Sequence, residues 1–372
     1  MLLRAAVIVL CFIIHDPAQI VKILPCFFRK KSQKFIDFNG KVCYTLVSGK
    51  KFPLNISTAA THFLGQSLPR KQKKETDMIL STQTSGARGR FGDLGAVDQL
   101  KAAGYTTLDL SLFHMSSPDS PFNAPDWEKN VMALKEYSDA QGITYNQAHL
   151  PFVFRWAVPG EWENFIAPVQ YRAMDICGMM GVKYIVVHPI HHMEYLGHEE
   201  EVYDYNMRYY KTFIPYCEKY GYKVAIENMW QKEVKTKRIG HDSCSRMEEL
   251  IRYIDDLGGT DHFVACLDLG HTALVGLEPQ DCIRALGHKY LHSLHVHDND
   301  YVSDQHLLPG QGKFDWDAIC KALADIDYDG ELTYEADGFI RNFSNEVMPD
   351  AFKFMYTIGD RLCKKIEAYR AK

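Results

Sequence analysis

Between residues 144 and 335, six short apolar segments each contain a metal-binding or proton-transferring residue at or near the carboxyl end. The stretches that separate consecutive segments are long enough for helices. When helices connect parallel strands, the carboxyl ends of all the strands lie at the same edge of the sheet. These polar side chains are therefore expected to meet. In chain order they are His149, His188, Glu227, Asp268, His295 and Glu335.

The alternation extends upstream to residue 79, which gives eight strand segments. Several of them, such as YIVV and KVAI, are continuous apolar runs, as expected for strands buried on both faces. The predicted strands are Ile79–Thr84, Thr106–Leu110, Thr144–His149, Tyr184–His188, Lys223–Glu227, Phe263–Asp268, Leu291–His297 and Glu331–Glu335. Eight units of this kind predict an α/β fold, a closed (β/α)8 barrel.

Helices are predicted between and after these strands, since several of them begin at Pro or an acidic residue and end at Gly. They are Leu94–Ala103, Trp127–Gln141, Glu161–Met180, Glu199–Tyr220, Arg246–Leu257, Pro279–Leu286, Asp315–Asp325 and Glu346–Tyr369.

Residues 1–77 do not continue the repeat. Ala5–Ile14 is an apolar run, but it is shorter than the roughly 20 residues that a membrane span needs. It is followed by basic segments, at Arg29–Lys31 and Arg70–Lys74, and no small-x-small cleavage motif is evident. We therefore predict a poorly structured N-terminal extension up to residue 77 and a catalytic barrel over residues 78–372. An export or anchoring segment and a small accessory domain are the alternatives.

Charge divides at the same boundary. Residues 1–77 contain 13 of the 42 Lys and Arg and 4 of the 47 Asp and Glu, which leaves 29 basic and 43 acidic residues for the predicted barrel. A barrel this acidic is a poor binder of a phosphate backbone, which requires neutralising positive charge. We expect neither nucleic acid nor a membrane as a partner of the barrel. The sequence leaves a homo-oligomer open.

The ten cysteines are spread singly, without a CxxC pair. Several of them, such as Cys177 and Cys266, lie within predicted helices or strands. This distribution is typical of reduced thiols in an intracellular protein and argues against a disulfide framework. The expected location is cytoplasmic.

Glu227, Asp268, His295 and Glu335 end the last four predicted strands, so that they surround a common centre. A solvated strand end or a helix cap explains any one of them equally well. Four at equivalent positions favour a shared ligand. Mixed carboxylate and imidazole ligands suit a divalent metal ion, Mn²⁺ first, with Mg²⁺, Co²⁺ or Zn²⁺ as alternatives.

Five motifs resemble those of a known family, the xylose isomerase-like TIM barrels, over residues 79 to about 360. They are AIEN at 225–228, LDLGH at 267–271, HVHDND at 295–300, LPGQGKFDW at 308–316 and YEAD at 334–337. Within the family they resemble the sugar phosphate isomerase/epimerase group, which includes inosose dehydratase and the ketose 3-epimerases. The resemblance implies a divalent metal on the four residues above and a sugar isomerase or epimerase, with Glu227 and Glu335 as the acid/base pair.

The implied chemistry has a physical basis. Removing a proton next to a sugar carbonyl creates an enediolate, whose charge a cation stabilises. Two carboxylates on opposite faces of that flat intermediate invert the carbon by exchanging one proton each. The partner is then a small-molecule sugar. Its predicted binding residues are His149, His188, His271, Trp230, Glu233, His297, Asp304 and His306.

Two of these histidines, and the aromatic residues that follow the strand ends, have a second interpretation. His271 also suits a cap of the following helix, and His297 is the rival metal ligand if the strand register slips by two. The aromatic side chains that follow the strand ends suit either sugar stacking or packing at the barrel mouth. They are Phe152, Phe154, Trp156, Trp230, Tyr301 and Phe339.

The same residues are compatible with two other functions. His149, His188, Asp304 and His306 also resemble ligands of the endonuclease IV-type AP endonucleases. Together with His271, which is placed to reach a second ion, they would extend the site to nine zinc ligands. The acidic barrel and the lack of a basic DNA-facing loop favour the sugar enzyme. A dehydratase or lyase acting on a keto-sugar or inosose differs only in the fate of the enediolate.

The chain also departs from the ketose epimerases. Glu233 matches a glutamate that they carry after the fifth strand, but Tyr301 stands where they have an arginine. Gly310–Lys313 is a weak candidate for a phosphate-binding loop. Substrate identity therefore stays open.

We predict that residues 1–77 are dispensable. A chain that begins at Met78 should unfold at the same temperature and keep the activity of the full chain, because nothing upstream continues the repeat. Differential scanning calorimetry of both chains checks this. A midpoint several degrees lower for the shorter chain would mean that the extension packs on the barrel.

Overall fold

The computed structural model describes residues 43–47, 50–54, 78–152 and 162–372. Contacts divide the chain into two units, Met1–Glu75 and Thr76–Lys372. In the first unit, the described residues form an antiparallel hairpin of β1 (Cys43–Val47) and β2 (Lys50–Leu54). Otherwise the prediction for residues 1–77 lies outside the described residues. So do Phe154 and Trp156 among the predicted mouth aromatics.

The second unit is a closed barrel of eight parallel strands. Six pair as one sheet, and the two others pair with each other. Bridges from Gln83 to Asp109 and from Val296 to Tyr334 join the two sets into a ring. The strands are β3 (Leu80–Thr82), β4 (Thr107–Ser111), β5 (Thr144–His149), β6 (Tyr184–Val187), β7 (Lys223–Glu227), β10 (Phe263–Asp268), β11 (Leu291–His295) and β12 (Leu332–Tyr334). A short antiparallel hairpin, β8 (Trp230–Lys232) and β9 (Ile239–His241), follows β7. The predicted (β/α)8 fold is confirmed.

Helices follow the barrel strands. They are α1 (Ser85–Ala103), α2 (Trp127–Gln141), α3 (Ala167–Met180), α4 (Glu199–Lys211), α5 (Ile214–Tyr220), α6 (Met247–Asp256), α7 (Leu269–Leu274), α8 (Pro279–Tyr290), α9 (Trp316–Asp325), α10 (Asp337–Ile340) and α11 (Met348–Arg370). A 3-10 turn, Phe113–Ser116, follows β4, and a π turn, Trp162–Ile166, precedes α3.

Three helices differ from the sequence prediction for local reasons. The segment Glu199–Tyr220 is two helices, because Pro215 at the start of α5 removes a backbone donor. α1 begins nine residues before the predicted Leu94 and bends at Gly92, whose φ is 71°. α8 continues past Gly287, whose φ is 60°, a left-handed value that favours glycine.

Two apolar clusters stabilise the barrel. The larger lies between strands and helices and contains fully buried rings such as Tyr210 and Phe263. The smaller fills the barrel interior with side chains of β6, β7 and β10: Val186, Ala225, Val264 and Cys266. Burial contributes about 25 cal/mol per Å² of apolar surface removed from water. The seven cysteines between residues 177 and 363 are all buried free thiols. Within the ranges given above, no helix is both long and apolar enough to cross a bilayer.

One buried carboxyl lies at the amino-terminal end of the barrel, opposite the strand ends that carry the candidate ligands. Glu331 directly precedes β12 and is 6% exposed. Burial raises the pKa of Glu331 to about 7, although a hydrogen bond from Thr107 opposes the shift. The folded chain then binds a proton that the unfolded chain releases. Stability should therefore fall as pH rises from the ordinary pKa of 4.5 to about 7.

Glu331→Gln removes this titration. We expect the variant to be more stable than wild type above pH 7, relative to their difference at pH 4, by about 3 kcal/mol. Urea unfolding at several pH values measures the difference. Glu249 and Asp337, whose pKa values burial also raises to about 7, titrate in both proteins and cancel in the comparison. A constant difference across this range would contradict the prediction.

Candidate metal centre

Four side chains converge at the carboxyl-terminal end of the barrel. Glu227, Asp268 and His295 are the last residues of β7, β10 and β11, and Glu335 directly follows β12. All four are buried, and one donor atom from each lies within 4.8 Å of the others. His295 Nδ1 lies 3.2 Å from Glu227 Oε1 and 3.0 Å from Glu335 Oε2. The predicted ligand set thus shares one centre.

The carboxylates of this centre are surrounded by imidazoles. In the described part of the chain, no Lys or Arg nitrogen lies within 4.0 Å of them. Burial by itself raises the pKa of Glu227, but His295 and His188 outweigh it and hold the pKa well below its ordinary value. The same balance lowers the pKa of Glu335 to about 2. The centre therefore keeps its carboxylates ionised and favours positive charge between them.

Backbone carbonyls fix the orientation of three further histidines. In each, Nδ1 lies against a carbonyl oxygen, which places the proton on Nδ1 and leaves a lone pair on Nε2. The contacts are His149 to Leu150, His271 to Asn228 and His306 to Glu335, each 2.8 Å. All three rings thus direct Nε2 away from the backbone, in a position to bind a metal ion once that nitrogen carries no proton.

His149 and His188 form a second group with Glu227. Their Nε2 atoms lie 3.0 Å apart, and Glu227 Oε2 lies 3.4 Å from His149 Nε2 and 2.9 Å from His188 Nε2. Phe113 and Phe152 pack on these rings, with centroids 4.6 Å from His149 and 4.7 Å from His188. This apolar cover contributes to the burial that lowers the pKa of His188 to about 4. Neutral imidazole is the form that binds metal.

His271, Asp304 and His306 form a third group. His306 Nε2 lies 3.2 Å from Asp304 Oδ1. Burial lowers the pKa of His306, but this carboxylate outweighs the effect and raises it to about 10. The His306 ring stacks on His297 at 4.1 Å, and His297 Nε2 lies 3.0 Å from Asp268 Oδ1. His297 therefore connects the third group to the first as a support of Asp268.

Two residues that the sequence analysis did not single out also hold the ligands. Asp109 Oδ2 accepts from Gln147 at 2.7 Å and lies 3.8 Å from His295 Nε2, on the far side of the ring from the centre. Asn228 bonds the backbone of Asp268 twice, at 2.7 and 3.0 Å. A charged residue inside the apolar strand TTLDL was the available sequence signal for Asp109. For Asn228, the signal was its place next to Glu227.

The donor chemistry of these groups fits divalent metal ions. Glu227 Oε2 and Asp304 Oδ1 are buried, and imidazole nitrogens of His188 and His306 lie 2.9 and 3.2 Å away from them. Carboxylate oxygens that face nitrogen lone pairs repel each other unless a proton or a cation lies between them. Three sets of residues bring carboxylate oxygens this close to imidazole nitrogens. They are Glu227, Asp268, His295 and Glu335; His149, His188 and Glu227; and His271, Asp304 and His306.

The glycine-rich segment Gly310–Lys313 already surrounds an internal anion. The amides of Gly310 and Phe314 donate to the carboxylate of Asp298, at 2.9 and 3.3 Å, and Trp316 Nε1 donates to it at 2.8 Å. A Cβ on Gly312 would lie within 2.2 Å of Asp298 Oδ1, so the loop passes directly over this side chain. Amides of this segment that would bind a phosphate therefore already donate to Asp298.

The remaining predicted binding residues differ in placement. Trp230 lies beside the third group, with its ring centroid 6.4 Å from that of His271. Glu233 lies in the β8–β9 hairpin, where its exposed carboxylate accepts from Thr236 at 2.6 Å. It does not join the histidine and carboxylate groups. Tyr301, in place of the arginine of ketose epimerases, donates to Glu278 at 3.1 Å.

This arrangement agrees with the comparison to known families. A family model for xylose isomerase-like TIM barrels matches residues 97–358. The protein belongs to this family. Family membership accounts for the barrel, and it confirms the resemblance drawn from the motifs.

Related sequences are similar over shorter stretches. An uncharacterised protein of Methanocaldococcus jannaschii is 28% identical over 156 residues, 41% of this chain and 50% of the relative. One of Sinorhizobium fredii is 37% identical over 84 residues, 23% of this chain and 25% of the relative. The matched regions thus span about a quarter to a half of these relatives.

Solved structures of two sugar epimerases share the fold over nearly their whole length. A D-psicose 3-epimerase with D-tagatose from Clostridium cellulolyticum H10 has a TM-score of 0.59 at 15% identity and covers 77% of this chain and 99% of its own. A 3-keto-D-glucoside 4-epimerase from E. coli has a TM-score of 0.55 at 16% identity, with 75% and 99% covered. At these identities the likeness concerns the fold.

Gly270 lies against the ring of His297, which supports Asp268 at the candidate metal centre. We predict that Gly270→Ala weakens metal binding. A Cβ at this position would lie 1.9 Å from the His297 ring, which must then move away from Asp268. Loss of such an outer contact costs about 10- to 100-fold in metal affinity. Calorimetric titration of metal-stripped protein measures it. Gly89→Ala, where no atom lies within 4 Å of the added Cβ, is the matched control. Equal affinities for both variants would contradict the role of His297.

Proposed function

We propose that the protein is a divalent-metal-dependent isomerase or epimerase of small sugars. The contact that supports this most directly is the placement of His295 Nδ1 between Glu227 and Glu335, 3.2 and 3.0 Å from their carboxylates. This buried centre contains two carboxylates, with ligand atoms for a cation between them. Such an arrangement suits proton transfer at a carbon next to a carbonyl. The predicted metal ion is Mn²⁺, with Mg²⁺, Co²⁺ and Zn²⁺ as alternatives.

The residues have separate tasks in this proposal. A cation held by Glu227, Asp268, His295 and Glu335 supplies positive charge for the substrate's oxygens as the proton leaves. One glutamate removes the proton, and the other returns one to the opposite face. A low pKa keeps the accepting glutamate ionised, whereas the glutamate on the opposite face must first take up a proton from solvent before it can return one. The fixed rings of His149 and His271 orient substrate hydroxyl groups, and Phe152 excludes water from one side.

The proposed substrate carries no phosphate at the Gly310–Lys313 loop. Asp298 occupies the amides there, so a phosphate would meet a carboxylate. Aromatic rings instead line the mouth: Phe113, Phe152 and Trp230 lie against the site histidines. Such rings favour the C–H faces of a neutral sugar. A keto-sugar or an inosose fits these conditions, and dehydration of it is a variant of the same chemistry.

A second candidate is hydrolysis of a phosphodiester at an abasic DNA site. The observation that favours it is the approach of all nine predicted zinc ligands into three adjoining groups, two of them held by backbone carbonyls. Against it stands the charge of residues 78–372, which contain 29 basic and 43 acidic residues. An acidic barrel repels a phosphate backbone. The sugar enzyme is therefore the preferred proposal.

We predict that Glu227→Gln and Glu335→Gln each abolish turnover, whereas Asp268→Asn and His295→Ala mainly weaken metal binding. The glutamates both bind the cation and move protons, and an amide cannot accept the proton. The measurement is incorporation of solvent deuterium next to the carbonyl of ketoses and inososes, with and without divalent metal.

Saturating metal separates the two effects, since it should restore part of the exchange in Asp268→Asn but none in Glu335→Gln. Glu233→Gln is the matched control, because its carboxylate lies away from the groups of the centre. Near-normal exchange in either active-site glutamine variant would refute the acid/base assignment. No metal-dependent exchange across the panel, together with cleavage of abasic DNA, would refute the sugar enzyme.

The number of bound metal ions distinguishes the two candidates. We expect about one Mn²⁺, Co²⁺ or Mg²⁺ per active chain, because proton transfer at one carbon requires only the four-ligand centre. Metal analysis of purified protein after dialysis measures this number. His306→Ala should leave the count unchanged, whereas three zinc ions in wild type and fewer in the variant would support the nuclease.

A further inference from the structure

Two neutral polar residues, Gln83 and Ser111, complete the ring of side chains at the carboxyl-terminal mouth of the barrel. Gln83 directly follows β3, and Ser111 is the last residue of β4. In the register of β4 with β5, Ser111 lies opposite His149. On the other side, the parallel pairing of β12 with β3 continues to Glu335 opposite Gln83. The pair thus lies between two groups of the candidate site, yet the proposed reaction assigns no task to it.

The side chain of Gln83 is directed into the barrel. Leu80 and Tyr334 lie against Gly359 of α11, on the outer side of the sheet. Successive side chains of a strand point to opposite faces. Gln83, three residues after Leu80, and Glu335, one residue after Tyr334, therefore both face the interior. This places the amide of Gln83 beside the carboxylate of Glu335 at the mouth.

The protein binds one half of the Gln83 amide and leaves the other half free. Ser111 Oγ donates to Gln83 Oε1 at 3.1 Å, which fixes the amide with Nε2 directed away from Ser111. Among the described residues, none accepts a hydrogen bond from Nε2, and this nitrogen is not enclosed by the protein. Two N–H donors are therefore available to a ligand at the mouth.

A fixed amide with free donors has a cost at this position. Gln83 is only 7% exposed, so its amide has lost most of its hydration. Donors that lose water without gaining an acceptor destabilise the fold, and most buried polar groups are paired for that reason. An apolar side chain of similar length would fill the same space without this cost. The arrangement therefore suits an oxygen atom that a ligand brings to Nε2.

We propose that Gln83 determines substrate specificity by donating a hydrogen bond from Nε2 to one hydroxyl oxygen of the sugar. This inference rests on the proposed function and adds a residue that recognises the substrate. An amide nitrogen donates and does not accept, so it selects a carbon that bears oxygen over one that bears hydrogen alone. It carries no charge, so it suits a hydroxyl group rather than a phosphate or carboxylate.

The position of Gln83 indicates which part of the sugar it contacts. The strands that carry His295, Glu335 and Gln83 are consecutive in the barrel, so Gln83 lies on the far side of Glu335 from His295. The reacting oxygens belong at the centre that contains His295 and Glu335. Gln83 therefore contacts a hydroxyl group outside the reacting pair. Its loss should weaken binding of the sugar more than it slows proton transfer.

The test is a double-mutant cycle between the protein and the sugar. The full chain, loaded with Mn²⁺, is titrated calorimetrically with D-fructose, D-tagatose, an inosose and their reduced forms, which cannot react. Analogues that each lack one hydroxyl group complete the panel. Gln83→Leu should weaken binding of the parent sugars about tenfold, the effect of one lost hydrogen bond. One deoxy analogue should bind wild type about tenfold more weakly than its parent and bind Gln83→Leu equally well, because the contact is lost only once.

Two further variants make the assignment specific. Ser111→Ala removes the donor that fixes the amide, so it should weaken the same contact by a smaller factor. Gln141→Leu is the matched control, because it makes the same replacement at the end of α2, where Gln141 Oε1 accepts from Lys101 at 2.8 Å. It should bind every sugar like wild type. Thermal unfolding without sugar establishes that each variant is folded.

The outcomes separate this inference from the proposed function. Equal binding by wild type and Gln83→Leu would overturn the role of Gln83 and leave the sugar function standing. So would losses that simply add for every deoxy analogue, because they would show that Gln83 contacts none of the removed hydroxyl groups. If wild type binds no sugar of the panel, the proposed function fails, and this inference fails with it.

Discussion

The imidazole of His295 lies between the carboxylates of Glu227 and Glu335 where little water reaches, and much of the barrel mouth maintains this contact. Burial alone would protonate the carboxylates, but the surrounding imidazoles outweigh it and lower the pKa of Glu335 to about 2. Because Lys and Arg are absent from their first contacts in the described chain, the positive charge comes from groups that also bind metal. The same electrostatic field suits a divalent cation.

The scaffold around this contact is mainly backbone. Carbonyls of Leu150, Asn228 and Glu335 hold three imidazoles, and strand ends fix the carboxylates. Main-chain groups at the ends of buried strands move little, so the lone pairs are oriented before any ligand arrives. Side chains such as Asp109 and His297 complete the support from the outer side of the ligands. This arrangement is more extensive than a single four-ligand site requires, which is why two candidate functions share it.

The two ends of β12 carry glutamates in opposite states. Glu335, at the carboxyl end, is surrounded by imidazoles and stays ionised, whereas Glu331, at the amino end, has a raised pKa. Burial is similar at both ends, so the difference comes from neighbouring charge. The carboxyl end presents imidazoles to its carboxylates. The amino end has no positive partner for Glu331 within the described chain.

By itself, the sequence determined the barrel and the meeting of four candidate ligand residues at one end of it. The period and length of the apolar strands suit a parallel sheet, and polar residues such as Asp268 and Glu335 lie at their carboxyl ends. A closed barrel is the arrangement that brings those ends together. Only the tertiary structure decided which neighbouring residues contact the candidate ligands. It placed His297 against Asp268 and placed Glu233 in a hairpin away from the centre. It also placed the carboxylate of Asp298 inside the Gly310–Lys313 loop and formed a cavity beside Glu331. These outcomes depend on side-chain directions and on contacts between distant segments, which strand spacing and residue type do not specify.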